Sequence, residues 1–171
     1  MAPKKVKHVA ETNRAVGSTP WLRIASGKIS TVSSSPSEVW DDWKDDLPKT
    51  FLGVINDGFP NLLMVLGPHT SRGNIPRHIE KIVDFNIGII RHMRENGYSR
   101  VEARPEEAEK WLAQVKDVNE GRLAGQIPSW QTGVNVNVPG RQTIRVLGYY
   151  GGAIRYREQT EQVAAGGYKE L

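Results

Sequence analysis

Leu62-Leu63-Met64-Val65-Leu66, then Gly67-Pro68-His69-Thr70-Ser71-Arg72-Gly73-Asn74, then Ile75-Pro76-Arg77-His78-Ile79-Glu80: the fold turns on how this stretch is read. A continuous apolar run stopped by Gly-Pro predicts a strand buried on both faces, as in a parallel sheet. Behind it, Asn74 is placed to cap a helix, and Pro76 suits the first turn, where its missing N–H costs nothing. Ile79, Ile82, Val83, Ile87, Ile90 and Met93 recur near helical spacing and predict one apolar face, closed by Asn96-Gly97. A helix start carries unpaired N–H groups and partial positive charge, so after a buried strand it offers a seat for an anionic or polarised ligand atom. Gly67 and Gly73 would let a flat ring or a phosphate approach the backbone closely. The same spacing also suits an ordinary connection whose glycines only satisfy turn geometry.

Upstream, Phe51-Leu52-Gly53-Val54-Ile55 is short and apolar, and it ends at the turn signal Asn56-Asp57-Gly58. Ser37 to Trp43 suggests a short helix capped by Ser35 or Ser37, with Trp40 and Trp43 one turn apart. Residues 1–37 hold Lys4, Lys5, Lys7, Arg14, Arg23 and Lys28 against the single acid Glu11, among many serines. They read as a poorly ordered lead-in to a globular unit over 38–171. The basic run Pro3 to Lys7 is short and reads as a solvated tail; no apolar segment follows it to make a secretory signal.

Downstream, a second helix begins at Pro105. Glu106 and Glu107 favour its positive end, and Ala108, Trp111, Leu112, Val115 and Val118 line one face. Gly121 to Pro128 breaks that pattern, Thr143 to Tyr150 alternates as a strand does, Gly151-Gly152 turns, and Arg155 to Ala165 predicts a last helix. The succession is that of an α/β protein.

Composition narrows the chemistry. The chain has 171 residues, 38% of them hydrophobic, which suits one domain and excludes wholesale disorder. Without cysteine there are no disulfides, thiolate metal sites or thiol nucleophiles. No apolar run is long enough to span a membrane. The four histidines, His8, His69, His78 and His92, include no HExxH pair, and no metal site is expected. His69 lies in the strand-to-helix loop without an evident carboxylate or serine partner, and no catalytic residue is nominated. Trp130 stands in polar company, Ser129-Trp130-Gln131-Thr132-Gly133; it is either an anchor for its loop or a ring and N–H donor for a ligand. Arg141, Arg145, Arg155 and Arg157 interleave with Tyr149, Tyr150 and Tyr156, a footprint too thin for a nucleic-acid binder with a net charge of only +4.

Several of these residues together resemble the C-terminal part of the flavin-dependent Baeyer–Villiger monooxygenases. They are Gly58-Phe59-Pro60-Asn61-Leu62, Gly67-Pro68-His69-Thr70, Asn74-Ile75-Pro76-Arg77, Ser129-Trp130-Gln131-Thr132-Gly133, Tyr149-Tyr150-Gly151-Gly152 and Val163-Ala164-Ala165-Gly166-Gly167-Tyr168. The matches run in order from about Val39. The resemblance implies an incomplete α/β fragment of a flavoprotein with two dinucleotide-binding domains. It would hold the last strand and helix of the FAD domain plus C-terminal helices and a strand. It implies FAD and NADPH as cofactors, a small-molecule ketone as substrate, oxygen insertion giving an ester or lactone, and a cytoplasmic enzyme. Asn74 and Ile75 would face the flavin ring, Trp130 would bond NADPH, and the loop Pro68 to Gly73 would line the substrate pocket. Neither G-x-G-x-x-G fingerprint nor the family's F-x-G-x-x-x-H-x-x-x-W signature occurs, so the pyrophosphates have no cradle. The expectation is a truncated chain that does not retain FAD or turn over ketones by itself. The alternative is a non-catalytic interaction module that pairs with a full-length homologue through the exposed edge of Leu62 to Leu66.

Overall fold

The computed structural model describes residues 47–138 and 142–171. The lead-in over 1–37, its boundary, the helix expected at Ser37 to Trp43, and Arg141 lie outside the described residues. A small hairpin opens the described part, with β1 (Thr50–Phe51) antiparallel to β2 (Ile55–Asn56), Phe51 opposite Ile55. Its turn is tight because Leu52 and Gly53 both sit at positive φ, 53° and 66°. Three helices follow: α1 (Ile75–Glu95), α2 (Pro105–Asn119) and α3 (Ala153–Ala165). α2 packs on β1, and α1 packs on α3.

The helices begin where capping chemistry places them. The Asn74 side chain accepts the Arg77 N–H at 3.2 Å, and Pro76 occupies the first turn of α1. At the other end Gly97, at φ 71°, lets the Tyr98 N–H reach the Met93 carbonyl at 2.8 Å. α2 starts on Pro105 with Glu106 and Glu107 in its first turn. It buries Ala108, Trp111 and Val115, while Leu112 and Val118 are only partly covered.

The chain is of mixed helix and strand, as expected, but both longer strands are extended chain instead. Leu62 to Leu66 makes one antiparallel bridge, Leu63 to Ile55, plus a hydrogen bond from Met64 N–H to the Val54 carbonyl at 2.7 Å. It is not buried on both faces, and Val65 is 47% exposed. Leu66 and His69 both take positive φ, 56° and 69°, which no strand accommodates. The segment from Thr143 to Tyr150 is likewise not a strand, yet its end runs parallel to the loop, with Ser71 bridging Tyr149. Here His69 N–H donates to Leu147 O (3.0 Å), Tyr149 N–H to Thr70 O (3.0 Å) and Arg72 N–H to Tyr149 O (3.3 Å).

The core is an aromatic stack. Trp111 lies on Tyr149 with centroids 4.9 Å apart and planes 29° apart, and Tyr156 leans on both at 6.1 Å. The Tyr156 hydroxyl donates to the Leu52 carbonyl at 2.6 Å, tying α3 to the hairpin turn, and burial pushes its pKa far up. Tyr149 and Tyr156 are therefore closed to stacking on bases. Asn119, at the end of α2, donates to Gly148 O at 2.6 Å and accepts from Tyr150 N–H at 3.1 Å, clipping this segment in place.

The expected apolar face of α1 is split in two. Ile82 and Met93 are buried, together with Phe85 and Ile89 and with the polar His78 and Asn86. Ile79, Val83 and Ile87, with Ile75 before them, stand 37–51% exposed. Each is four residues from the next, so they form a stripe along the helix. No helix among the described residues is long and apolar enough to cross a membrane.

Candidate functional site

Three pieces of chain meet at the start of α1: the loop Gly67 to Gly73, the segment Arg145 to Tyr150, and a 3-10 turn over Trp130–Thr132. The loop is pressed against the hairpin. A side chain at Gly53 would lie 2.5 Å from the Pro68 carbonyl oxygen and 2.7 Å from the Thr70 nitrogen, so only glycine permits this approach at its positive φ.

His69 holds the loop from inside. It is wholly buried, with Nε2 2.9 Å from the Val146 carbonyl and Nδ1 3.3 Å from the Thr50 hydroxyl. Burial lowers its pKa from 6.5 to about 4; the bond to Val146 opposes this, and the charge of Lys116 adds to it. The ring is neutral at pH 7, bonded to structural partners, and acts as a strut rather than as a pocket wall. Between pH 6.5 and about 4 the unfolded chain binds a proton here that the folded chain does not, so stability falls as pH falls through that window. The expected loss is at most about 3 kcal/mol by pH 4. Denaturant titrations at several pH values will show that slope, and His69→Gln will flatten it.

The turn at Trp130 is built from polar residues. The Ser129 N–H donates to the Thr132 hydroxyl at 2.9 Å, and Gly133 leaves the turn at φ 74°. Arg145 N–H then donates to Thr132 O at 2.8 Å, and the Tyr150 hydroxyl to Gln131 at 3.2 Å. Trp130 is 71% exposed, so it does not anchor its loop in the core. Its ring is met by Arg72, whose guanidinium carbon lies 6.0 Å from the centroid while a terminal nitrogen donates to Leu147 O at 3.3 Å. The sequence reading places Arg72 only within the pocket-lining loop and does not foresee its contact with Trp130. The signal lay in its position two residues before the helix cap, at the mouth of the loop.

Asn74 is spent on capping, Pro76 has no N–H, and Arg77 N–H is taken. The Ile75 N–H is therefore the open first-turn donor, and Ile75 itself is exposed. A helix-end donor, an exposed indole with its N–H, and a guanidinium beside it suit the edge of a flat, partly anionic ring system. They do not form a pyrophosphate cradle.

The chain has the fold of part of a flavoprotein monooxygenase: it matches solved cyclohexanone monooxygenases over 77% of its length. More narrowly, the matched part is homologous to a segment of the Baeyer–Villiger and cyclohexanone monooxygenases. A phenazine N-monooxygenase from Lysobacter antibioticus is 36% identical over 127 residues, which is 74% of this chain and 23% of that protein. A cyclohexanone monooxygenase from Rhodococcus sp. Phi1, solved with NADP+, superimposes with a TM-score of 0.71 at 34% identity, covering 77% of this chain and 24% of that one. OTEMO, solved in complex with FAD and NADP, superimposes at 0.65 with 25% identity, covering 77% and 23%. The chain thus spans about a quarter of the length of the proteins it matches. No protein-family model matches it.

Proposed function

We propose that this chain supplies the flavin- and NADPH-facing edge of a Baeyer–Villiger-type monooxygenase, one that converts a ketone to an ester or lactone. The observation that carries the reading is the exposed Trp130 indole, braced by Arg72, at the mouth of the loop that ends in the Asn74–Ile75 helix start. The Ile75 N–H and the positive end of α1 would stabilise negative charge on the pyrimidine side of the flavin. Trp130 would cover the nicotinamide nucleotide and donate its N–H to it. Bound FAD and NADPH supply the oxygen and electron chemistry; these residues orient and polarise. The sequence holds no G-x-G-x-x-G fingerprint, and the contacts offered among the described residues are too few to retain a dinucleotide, whose binding is spread over several strands and loops.

Purified alone, the chain is expected to be colourless and to leave NADPH unconsumed. Combined with the nucleotide-binding portion of a cyclohexanone monooxygenase made without the matching segment, it should restore ketone-dependent NADPH oxidation. Trp130→Ala should raise the KM for NADPH on the order of tenfold. A stoichiometric yellow complex formed by the chain alone that consumes NADPH overturns this reading.

A second reading, a non-catalytic module that docks on a longer monooxygenase, is favoured by the exposed stripe on α1 rather than by the expected edge of Leu62 to Leu66. That segment forms no strand to offer an edge. The occupant we assign to the stripe is the remaining part of a monooxygenase fold, because three quarters of each matched protein lies outside this chain.

A further inference from the structure

A cavity of about 360 Å³ opens between the first halves of α1 and α3. Arg77, His78 and Lys81 line it from α1 and Arg157 from α3, over apolar walls that include Ile82 and Ile154. No carboxylate lines it. Both helices point their N-terminal ends toward this space, since Asn74 and Ala153 are among its lining residues. Neither helix has an acid in its first turn, and α3 has no side-chain cap. Cations here, at the positive ends of two helices, repel both the dipoles and one another. α2, with Glu106 and Glu107 in its first turn, shows the ordinary arrangement.

His78 adds an independent observation. It is 9% exposed and lines the cavity, its Nε2 lying beside Gly73 at the end of the loop. Tyr156 stands edge-on to the ring at 6.4 Å, but its hydroxyl is committed to the Leu52 carbonyl. An imidazole lining the cavity can donate an N–H to an acceptor bound there. Arg157 keeps only a loose, solvent-exposed pair with Glu161 at 3.5 Å.

We propose that this cavity binds a small phosphomonoester, with the phosphate on Arg77, His78, Lys81 and Arg157 and the ligand's apolar body against Ile82 and Ile154. A phosphate offers several acceptor oxygens to donors converging from two helices, and its charge offsets the crowded cations. The cavity is larger than a bare phosphate needs, which leaves room for the body. The pocket shares Asn74 and the positive end of α1 with the proposed flavin-facing edge, but neither Trp130 nor Arg72 lines it.

The test titrates the full chain with inorganic phosphate, and then with adenosine monophosphate, against chloride at equal ionic strength. Thermal unfolding and the imidazole resonances of His78 are followed. Both phosphates are expected to raise the midpoint and shift His78, with adenosine monophosphate binding more tightly. Lys81→Met and Arg157→Met should each weaken binding on the order of tenfold. Leu123→Ala, at an exposed residue outside the cavity, should leave it unchanged. Phosphate acting no differently from chloride, His78 resonances that stay put, or binding unaltered in both cation variants would overturn the proposal.

Discussion

Trp111→Ala is expected to lower stability by about 3–5 kcal/mol, enough to unfold much of the population of a chain whose total stability falls in the ordinary range of about 5–15 kcal/mol. Trp111 is 3% exposed and stacks on Tyr149, which is wholly buried, with Tyr156 closing the third side. Removing the indole opens a cavity at the point where α2, α3 and the segment 145–150 meet. That segment carries the hydrogen bonds that hold the loop before α1, so the loss reaches the candidate site. Trp111→Phe is a contrasting control. The indole nitrogen of Trp111 is buried with no hydrogen-bond partner, and phenylalanine keeps most of the stack while removing that unpaired donor. Chemical denaturation followed by circular dichroism should rank native, Phe and Ala in that order, with the Phe variant close to native. An Ala variant within about 1 kcal/mol of native would show that the stack does not organise the core.

The helices were legible in the sequence because their ends are written in local chemistry: Asn74 and Pro76 start α1, Gly97 stops it, and Pro105 with two glutamates starts α2. Long-range pairing has no such local mark. The apolar run Leu62 to Leu66 has the composition of a buried strand, but a strand forms only where neighbours supply a ladder, and here one bridge to Ile55 is all that is offered. The positive φ at Leu66 is not signalled by its residue type, and at His69 a histidine tolerates that conformation without specifying it. The face of α1 was misread for a different reason. Apolar residues occupy two sides of the helix, and periodicity alone cannot say that Phe85 and Ile89 turn inward with Asn86 while Val83 and Ile87 turn out. At the candidate site, the polar neighbours of Trp130 left both an anchor and a ligand-facing ring open, and the ring is exposed. Its contact with Arg72 depends on a parallel pairing between residues more than seventy positions apart, as in Arg72 to Leu147, which no local pattern carries.

Val83→Asp combined with Ile87→Asp is expected to abolish assembly with the nucleotide-binding portion of a cyclohexanone monooxygenase while leaving this chain folded. The two side chains are 37% and 48% exposed, so a carboxylate at either remains solvated in the isolated protein, and the thermal midpoint should move little. In an assembly that covers the stripe, the same two carboxylates would be buried without partners, at a cost of several kcal/mol each. The native side chains contribute in the opposite sense. Covering the exposed parts of Ile75, Ile79, Val83 and Ile87 releases on the order of 1 kcal/mol for each. The readouts are co-purification of the two polypeptides, flavin absorbance retained through gel filtration, and ketone-dependent NADPH oxidation, all of which should be lost together. Sedimentation of the chain alone tests the competing occupant. If native protein forms a dimer that the double variant abolishes, the stripe joins two copies of this chain and the monooxygenase-docking assignment is wrong. If the double variant assembles and restores turnover as well as native protein does, the stripe is not the interface, and the nucleotide-facing edge must reach its partner by another surface.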